Sequence, residues 1–206
     1  IGKDAGEVSG LGALNVPVSA HIKDALKGAD CLIDFTAPGA TMAHLETVHA
    51  MRKKIVIGTT GISTVQMKKI EEYAKDIPVV VSSNMSVGVN VLLGLVREAA
   101  KKLDKDYQIE IIEMHHRYKK DSPSGTALSL AKEAAQARGL DLEKVGVYGR
   151  KGTELVRAED EIGIHAVRTG DIIGEHTVMF CASGERIELT HRAGSRDIFV
   201  QGALRA

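Results

Sequence analysis

Residues 113 to 127 read EMHHRYKKDSPSGTA. His115, His116, Arg117, Lys119 and Lys120 crowd positive potential into six positions, and a Pro-Ser-Gly-Thr turn follows. Neighbouring residues on a strand point to opposite faces, so His115 and His116 can serve one small site only if the strand ends there. The polar run behind them predicts such an end. Ser122 and Pro123 then read as the cap and first position of a helix. The first turn of that helix offers unpaired N–H groups and the positive end of the dipole, a cradle for carboxylate or phosphate. Gly125 lets a ligand approach the backbone, and the Thr126 hydroxyl adds a donor. With His116 and Lys119 beside them, two anionic groups can be held at once, as in a small dicarboxylate. Holding an anion does not need two histidines. An imidazole titrates near neutrality and a lysine next to it can also donate, so the segment reads as a proton donor joined to an anion clamp. The bland alternative is a solvated basic turn before a capped helix. A zinc site is disfavoured: HHRYK lacks the i, i+4 histidine pair of HExxH, and both cysteines lie elsewhere, so no metal is expected.

The totals narrow the ligand. The 206 residues carry 27 Lys+Arg against 27 Asp+Glu, so no general basic face invites nucleic acid. Four Tyr, three Phe and no Trp leave little for stacking bases. The partner of the basic segment is therefore a small molecule. Cys31 and Cys181 sit in apolar runs without CxxC spacing and read as buried, reduced thiols of a cytosolic protein. No apolar run approaches the length of a membrane span and no signal peptide is visible. The chain starts with Ile1 in loop-like sequence and stops inside a helix-like one, so it reads as a fragment.

The elements that must position these residues fall into two styles. CLIDF (31–35), KIVIGTTG (54–61) and IPVVVSSN (77–84) are apolar strands, each followed by a helical pattern: 41–51, a helix capped by Ser63, and 87 to about 102. Three such β-α units predict a parallel sheet covered on both faces. Ligands of open parallel sheets bind beyond the carboxyl ends of the strands, here DFT (34–36), GTTG (58–61) and SSNMSVG (82–88), whose small residues, hydroxyls and free amides suit a ribose and a carboxamide. No GxGxxG turn is present to hold a pyrophosphate. The second half reads as a strand (108–116), a helix (124–138) stopped by Gly139, a polar glycine-rich stretch (139–160), then three β runs in an antiparallel or mixed sheet. The fold class is α/β: an incomplete Rossmann-type parallel-sheet domain over 1–86 and 196–206, plus an α+β substrate and oligomerisation domain with a mixed sheet over 87–195.

EMHHRYKKDSPSGTA closely resembles the E-x-HHR-x-K-x-D-x-PSGTA motif of the 4-hydroxy-tetrahydrodipicolinate reductase (dihydrodipicolinate reductase) family. The likeness runs collinearly through DAGE (4–7), DFTAP (34–38), VIGTTG (56–61), NMSVGVNV (84–91), RTGDIIGEHTV (168–178) and THRAGSR (190–196). It implies reduction of a cyclic dicarboxylate by NADH or NADPH in lysine (diaminopimelate) biosynthesis. It implies His115 as proton donor or acceptor, Lys119 as a second donor, and His116, Gly125 and Thr126 as carboxylate ligands. Gly58, Thr59, Thr60, Ser82, Ser83, Asn84 and Met85 would line the nicotinamide half of the cofactor. Self-association as a homotetramer through the second sheet, a cytoplasmic location and no membrane partner complete the expectation. The chain departs from the family pattern in lacking the opening strand and GxGxxG turn, in ending short of the last elements, and in carrying Ala37. The other readings are a nicotinamide dehydrogenase of the same fold with a different acid, or a non-catalytic anion-binding protein.

Overall fold

A computed structural model describes residues 1–206, which divide into two compact units: Ile1–Ser83 with Ala206, and Asn84–Arg205.

The first unit holds α1 (Ala5–Val8), α2 (Ile22–Leu26), β1 (Cys31–Asp34), α3 (Pro38–Ala50), β2 (Lys54–Ile57), α4 (Thr64–Tyr73) and β3 (Val79–Val81). The three strands pair in parallel in the order β1-β2-β3. Leu26, Leu45, Val48, Ile55, Ile57, Ile70 and Ile77 form its core, each a side chain whose burial is worth about 1.5–3 kcal/mol. Leu45 and Val48, three residues apart, come from one face of α3. That helix begins at Pro38, three residues before the expected start, because proline suits the first helical position. Ser63 caps α4 in a reciprocal capping box with Gln66. The short α1 and α2 were not foreseen, since four or five residues carry no measurable period.

The second unit holds α5 (Val87–Lys102), β4 (Gln108–His115), α6 (Gly125–Ala137), α7 (Leu142–Val145), β5 (Gly146–Tyr148), β6 (Ile162–Arg168), β7 (Glu175–Ala182), β8 (Glu185–Arg192) and α8 (Asp197–Arg205). Its sheet runs β5-β6-β4-β7-β8 and is mixed: β4 pairs parallel with β6 and antiparallel with β7. Apolar residues from α5 and α6 pack with Ile109, Ile111, Ile162, Ile164, Val178 and Phe180 in one core. Strict alternation along β4 follows, with 109, 111, 113 and 115 buried and the residues between them half-buried. The polar stretch 139–160 contains α7 and β5, too short to show a period in the sequence: four residues, and three opening on glycine. Beyond β5 the chain is anchored by Glu110 of β4, whose carboxylate meets Arg150 at 2.8 Å, Arg157 at 2.9 Å and His165 at 2.7 Å. Burial alone would raise the Glu110 pKa, but Arg150, His165 and Arg157 outweigh it and bring it down to about 2.

Residues 197–205, expected with the dinucleotide domain, form α8 and group with the second unit. A Cβ on Gly202 would lie 1.7 Å from the Met85 carbonyl oxygen, so only glycine lets α8 dock there. Both cysteines are free and half-buried rather than buried. Cys31 opens the edge strand β1, and Cys181 alternates with buried Phe180, which puts it on the sheet face away from the helices. No helix is long and apolar enough to cross a membrane.

Candidate active site

β4 ends at His115, and His116 begins the loop beyond it, so the two imidazoles escape the opposition that a continuing strand would impose. Its carboxyl end is tied to the segment after β6: the Thr169 amide donates to the His115 carbonyl at 2.9 Å and the His116 amide to the Ile172 carbonyl at 2.7 Å. His115 is 8% exposed, and its Nδ1 lies 2.5 Å from Glu113 Oε2. Glu113 is 0% exposed. Arg168 of β6 grips both its oxygens, Nη1 to Oε2 at 2.8 Å and Nη2 to Oε1 at 2.7 Å, and the Ser124 amide donates to Oε1 at 2.9 Å. Burial would push the Glu113 carboxyl up, but Arg168, His115 and the Ser124 amide overcome it and hold the group below the ordinary range. His115 is pushed below its ordinary value by burial, which the Glu113 carboxylate opposes while Lys119 and Arg168 add to it. The ammonium of Lys119 thus lies within electrostatic reach of the imidazole. Lys119 itself is half-buried and pairs with Asp121 at 2.9 Å.

Ser124, not Ser122, caps α6, and Gly125 rather than Pro123 is the first helical residue. The reason is tertiary. Glu113 binds the Ser124 amide, His176 Nε2 lies 3.0 Å from its hydroxyl, and that hydroxyl accepts from the Ala127 amide at 3.1 Å. The amides of Gly125 and Thr126 then open the helix without intrahelical partners. Gly125 is exposed, with nothing within 4 Å of where a Cβ would stand. Thr126 Oγ1 accepts from Asn84 Nδ2 at 3.0 Å, leaving its own O–H to donate. His116 is half-buried with a buried Nδ1 that has no hydrogen-bond partner, while Arg117 and Lys120 are exposed. His115, Lys119, the α6 amino end and Thr126 therefore gather in one unit, with the buried Glu113 carboxylate tying His115 to the α6 cap.

The expected cofactor residues divide between the units. Gly58 and Thr59 follow β2 and are buried; Thr60 is exposed. A Cβ on Gly58 would come within 2.2 Å of the Phe35 ring, so a larger residue there would make that ring, 53% exposed beyond β1, swing aside. The Thr59 hydroxyl turns inward, 3.0 Å from the Thr36 amide and 2.8 Å from Thr41 Oγ1, beside the buried Asp34 carboxylate. It has only backbone to offer a ligand. Ser82 and Ser83 follow β3 in the first unit; Asn84 and buried Met85 belong to the second. An exposed aromatic ring, small residues and hydroxyls at the carboxyl ends of three parallel strands fit the ribose and carboxamide of a dinucleotide.

Glu113, Arg168, Ser124 and His176 were missed as site residues. The signal for Glu113 was present: two positions before His115 on a strand, it must share that face.

Two family models match the chain, dihydrodipicolinate reductase N-terminus over residues 1–85 and C-terminus over 88–206. The chain belongs to the dihydrodipicolinate reductase family. It is accordingly an NAD(P)H-dependent oxidoreductase. It is 49% identical over 205 residues to the 4-hydroxy-tetrahydrodipicolinate reductase of Syntrophus aciditrophicus, covering 100% of this chain and 76% of that one. The enzyme of the same name from Syntrophobacter fumaroxidans is 48% identical over 206 residues, covering 100% and 77%. A dipicolinate-bound dihydrodipicolinate reductase from Paenisporosarcina superposes with a TM-score of 0.76 at 26% identity, over 98% of this chain and 79% of that one. The two-sheet α/β architecture expected from the sequence is thus the architecture of the family.

Proposed function

We propose that the second unit binds and protonates a cyclic dicarboxylate while the first receives a nicotinamide dinucleotide, together reducing 4-hydroxy-tetrahydrodipicolinate to tetrahydrodipicolinate in lysine (diaminopimelate) biosynthesis. The observation that carries the reading is the junction of β4 and α6: a buried, carboxylate-bound imidazole, an ammonium within its field, and two free amides at a helix start. The conversion adds one hydride and one proton and releases the 4-hydroxyl as water. The dinucleotide, when bound, supplies the hydride. His116, the Gly125 and Thr126 amides and the Thr126 hydroxyl hold the carboxylates at the positive end of α6. His115 gives a proton from Nε2, and Lys119 is the second donor and a counter-charge to the substrate. Gly58, Thr59 and Thr60, with Ser82, Ser83, Asn84 and Met85, line the nicotinamide side, Thr59 through its backbone. Either NADH or NADPH serves this scheme.

Tetramer formation is proposed through the face of the five-stranded sheet opposite α5 and α6, where Ile112, Met114 and Met179 are half-buried and Val167 is exposed. A cytoplasmic location is proposed on the two free cysteines and the lack of a membrane-crossing helix. The direct test is His115→Ala: turnover should fall by about 10²-fold or more with dinucleotide affinity unchanged, and unaltered turnover would remove His115 from the chemistry.

A further inference from the structure

The buried carboxylate beneath His115 has more to do than balance an arginine. Three donors converge on Glu113: the Arg168 guanidinium through two bonds, the Ser124 amide, and the His115 ring at 2.5 Å. A carboxylate in that setting only accepts, so His115 Nδ1 must carry a hydrogen in both charge states of the ring. Nε2 is then the atom whose proton comes and goes. Space is kept for it on the other side of the ring. A Cβ on Gly174 would stand 3.0 Å from Nε2, so the glycine between β6 and β7 leaves that edge uncovered.

Resting on the assignment of His115 as proton donor, we infer that Glu113 is its positioning residue: it fixes the Nδ1–H form and so dedicates Nε2 to proton transfer. A merely structural ion pair would be complete with Arg168 and the Ser124 amide, which already engage both oxygens. It would not need an imidazole on Oε2, nor a gap at the far edge of that imidazole. The Ser124 bond adds a second consequence. The carboxylate that orients the donor also fixes the cap of α6, so donor and carboxylate cradle are referenced to one buried group.

The charged groups facing His115 are Glu113 on its own strand, Arg168 from β6, His176 from β7 with ring centroids 5.2 Å away, and Lys119 from the following loop. Burial, Lys119 and Arg168 all favour the neutral ring, and Glu113 is the group that favours the protonated one. Removing its charge should therefore move the loss of activity at high pH to lower pH.

The test is ¹⁵N NMR of the histidine side chains in the full chain, with kinetics of Glu113→Gln. The neutral His115 of the unaltered protein should show a protonated Nδ1 and a bare Nε2. Glu113→Gln should lower kcat by about 10²-fold and shift the high-pH limb downward, while KM for the dicarboxylate stays within about two-fold. A bare Nδ1 in the unaltered protein overturns the inference, as does an unmoved limb in the variant. Should Glu113→Gln fail to fold, the tautomer of the unaltered protein still decides. If His115→Ala keeps its turnover, the donor assignment falls whatever the tautomer proves to be.

Discussion

The Ser124 amide donates to Glu113 Oε1 at 2.9 Å, joining the cap of α6 to the residue that holds His115. One carboxylate therefore joins the two features proposed for the segment 113–127, an anion cradle and a proton donor. A strand end, a short loop and a helix start carry His115, Lys119, Gly125 and Thr126, and Arg168 and His176 from distant strands fix the residues beside them.

The Thr126 hydroxyl is expected to donate to substrate while it accepts from Asn84. Thr126→Val should raise KM for the dicarboxylate about ten-fold, the loss of one hydrogen bond to a charged group, with kcat little changed. Steady-state kinetics check this, and an unaltered KM would argue against the helix-start cradle.

Gly174 lies against the working edge of His115. A methyl group there would sit 3.0 Å from Nε2 and 3.3 Å from Cδ2, so the ring must yield by a few tenths of an ångström. Gly174→Ala should cost about 1–3 kcal/mol of stability by overpacking and lower kcat more than it alters KM. Full activity in that variant would mean that Nε2 is not the working atom.

Acid should weaken the fold in two successive windows. Burial, aided by His115, lowers the His176 pKa from 6.5 to about 4. Below pH 6.5 the unfolded chain takes up this proton and the folded one does not, so stability is lost as pH falls from 6.5 toward 4. His115 and His191, also depressed by burial, add to the same slope. Glu110 acts lower: with its pKa near 2 against 4.5 unfolded, its contribution is present above 4.5 and disappears as pH falls toward 2. Denaturant titrations across pH should show a shallower first slope in His176→Gln and a shallower second one in Glu110→Gln. Slopes identical to the unaltered protein in both variants would refute the assignment.

The arrangement was legible where it depends on local rules. Period two along β4 and the polar run after it announced a strand ending at the His115–His116 pair, one residue past the observed end at His115, and Ser63 announced the start of α4. It was hidden where partners come from far along the chain. Choosing Ser124 over Ser122 as the cap requires Glu113, 11 residues away, and His176, 52 away. Arg168 reaches Glu113 from 55 residues away. Thr59 likewise looked like a ligand residue because nothing local shows that its hydroxyl turns inward to Thr36 and Thr41.

The most direct test of the cradle beside His115 is amide NMR of the full chain titrated with pyridine-2,6-dicarboxylate, a planar mimic of the substrate. The Gly125 and Thr126 amide resonances should move saturably, together with the side-chain signals of His115 and His116. Binding that leaves those two amides in place would contradict the account.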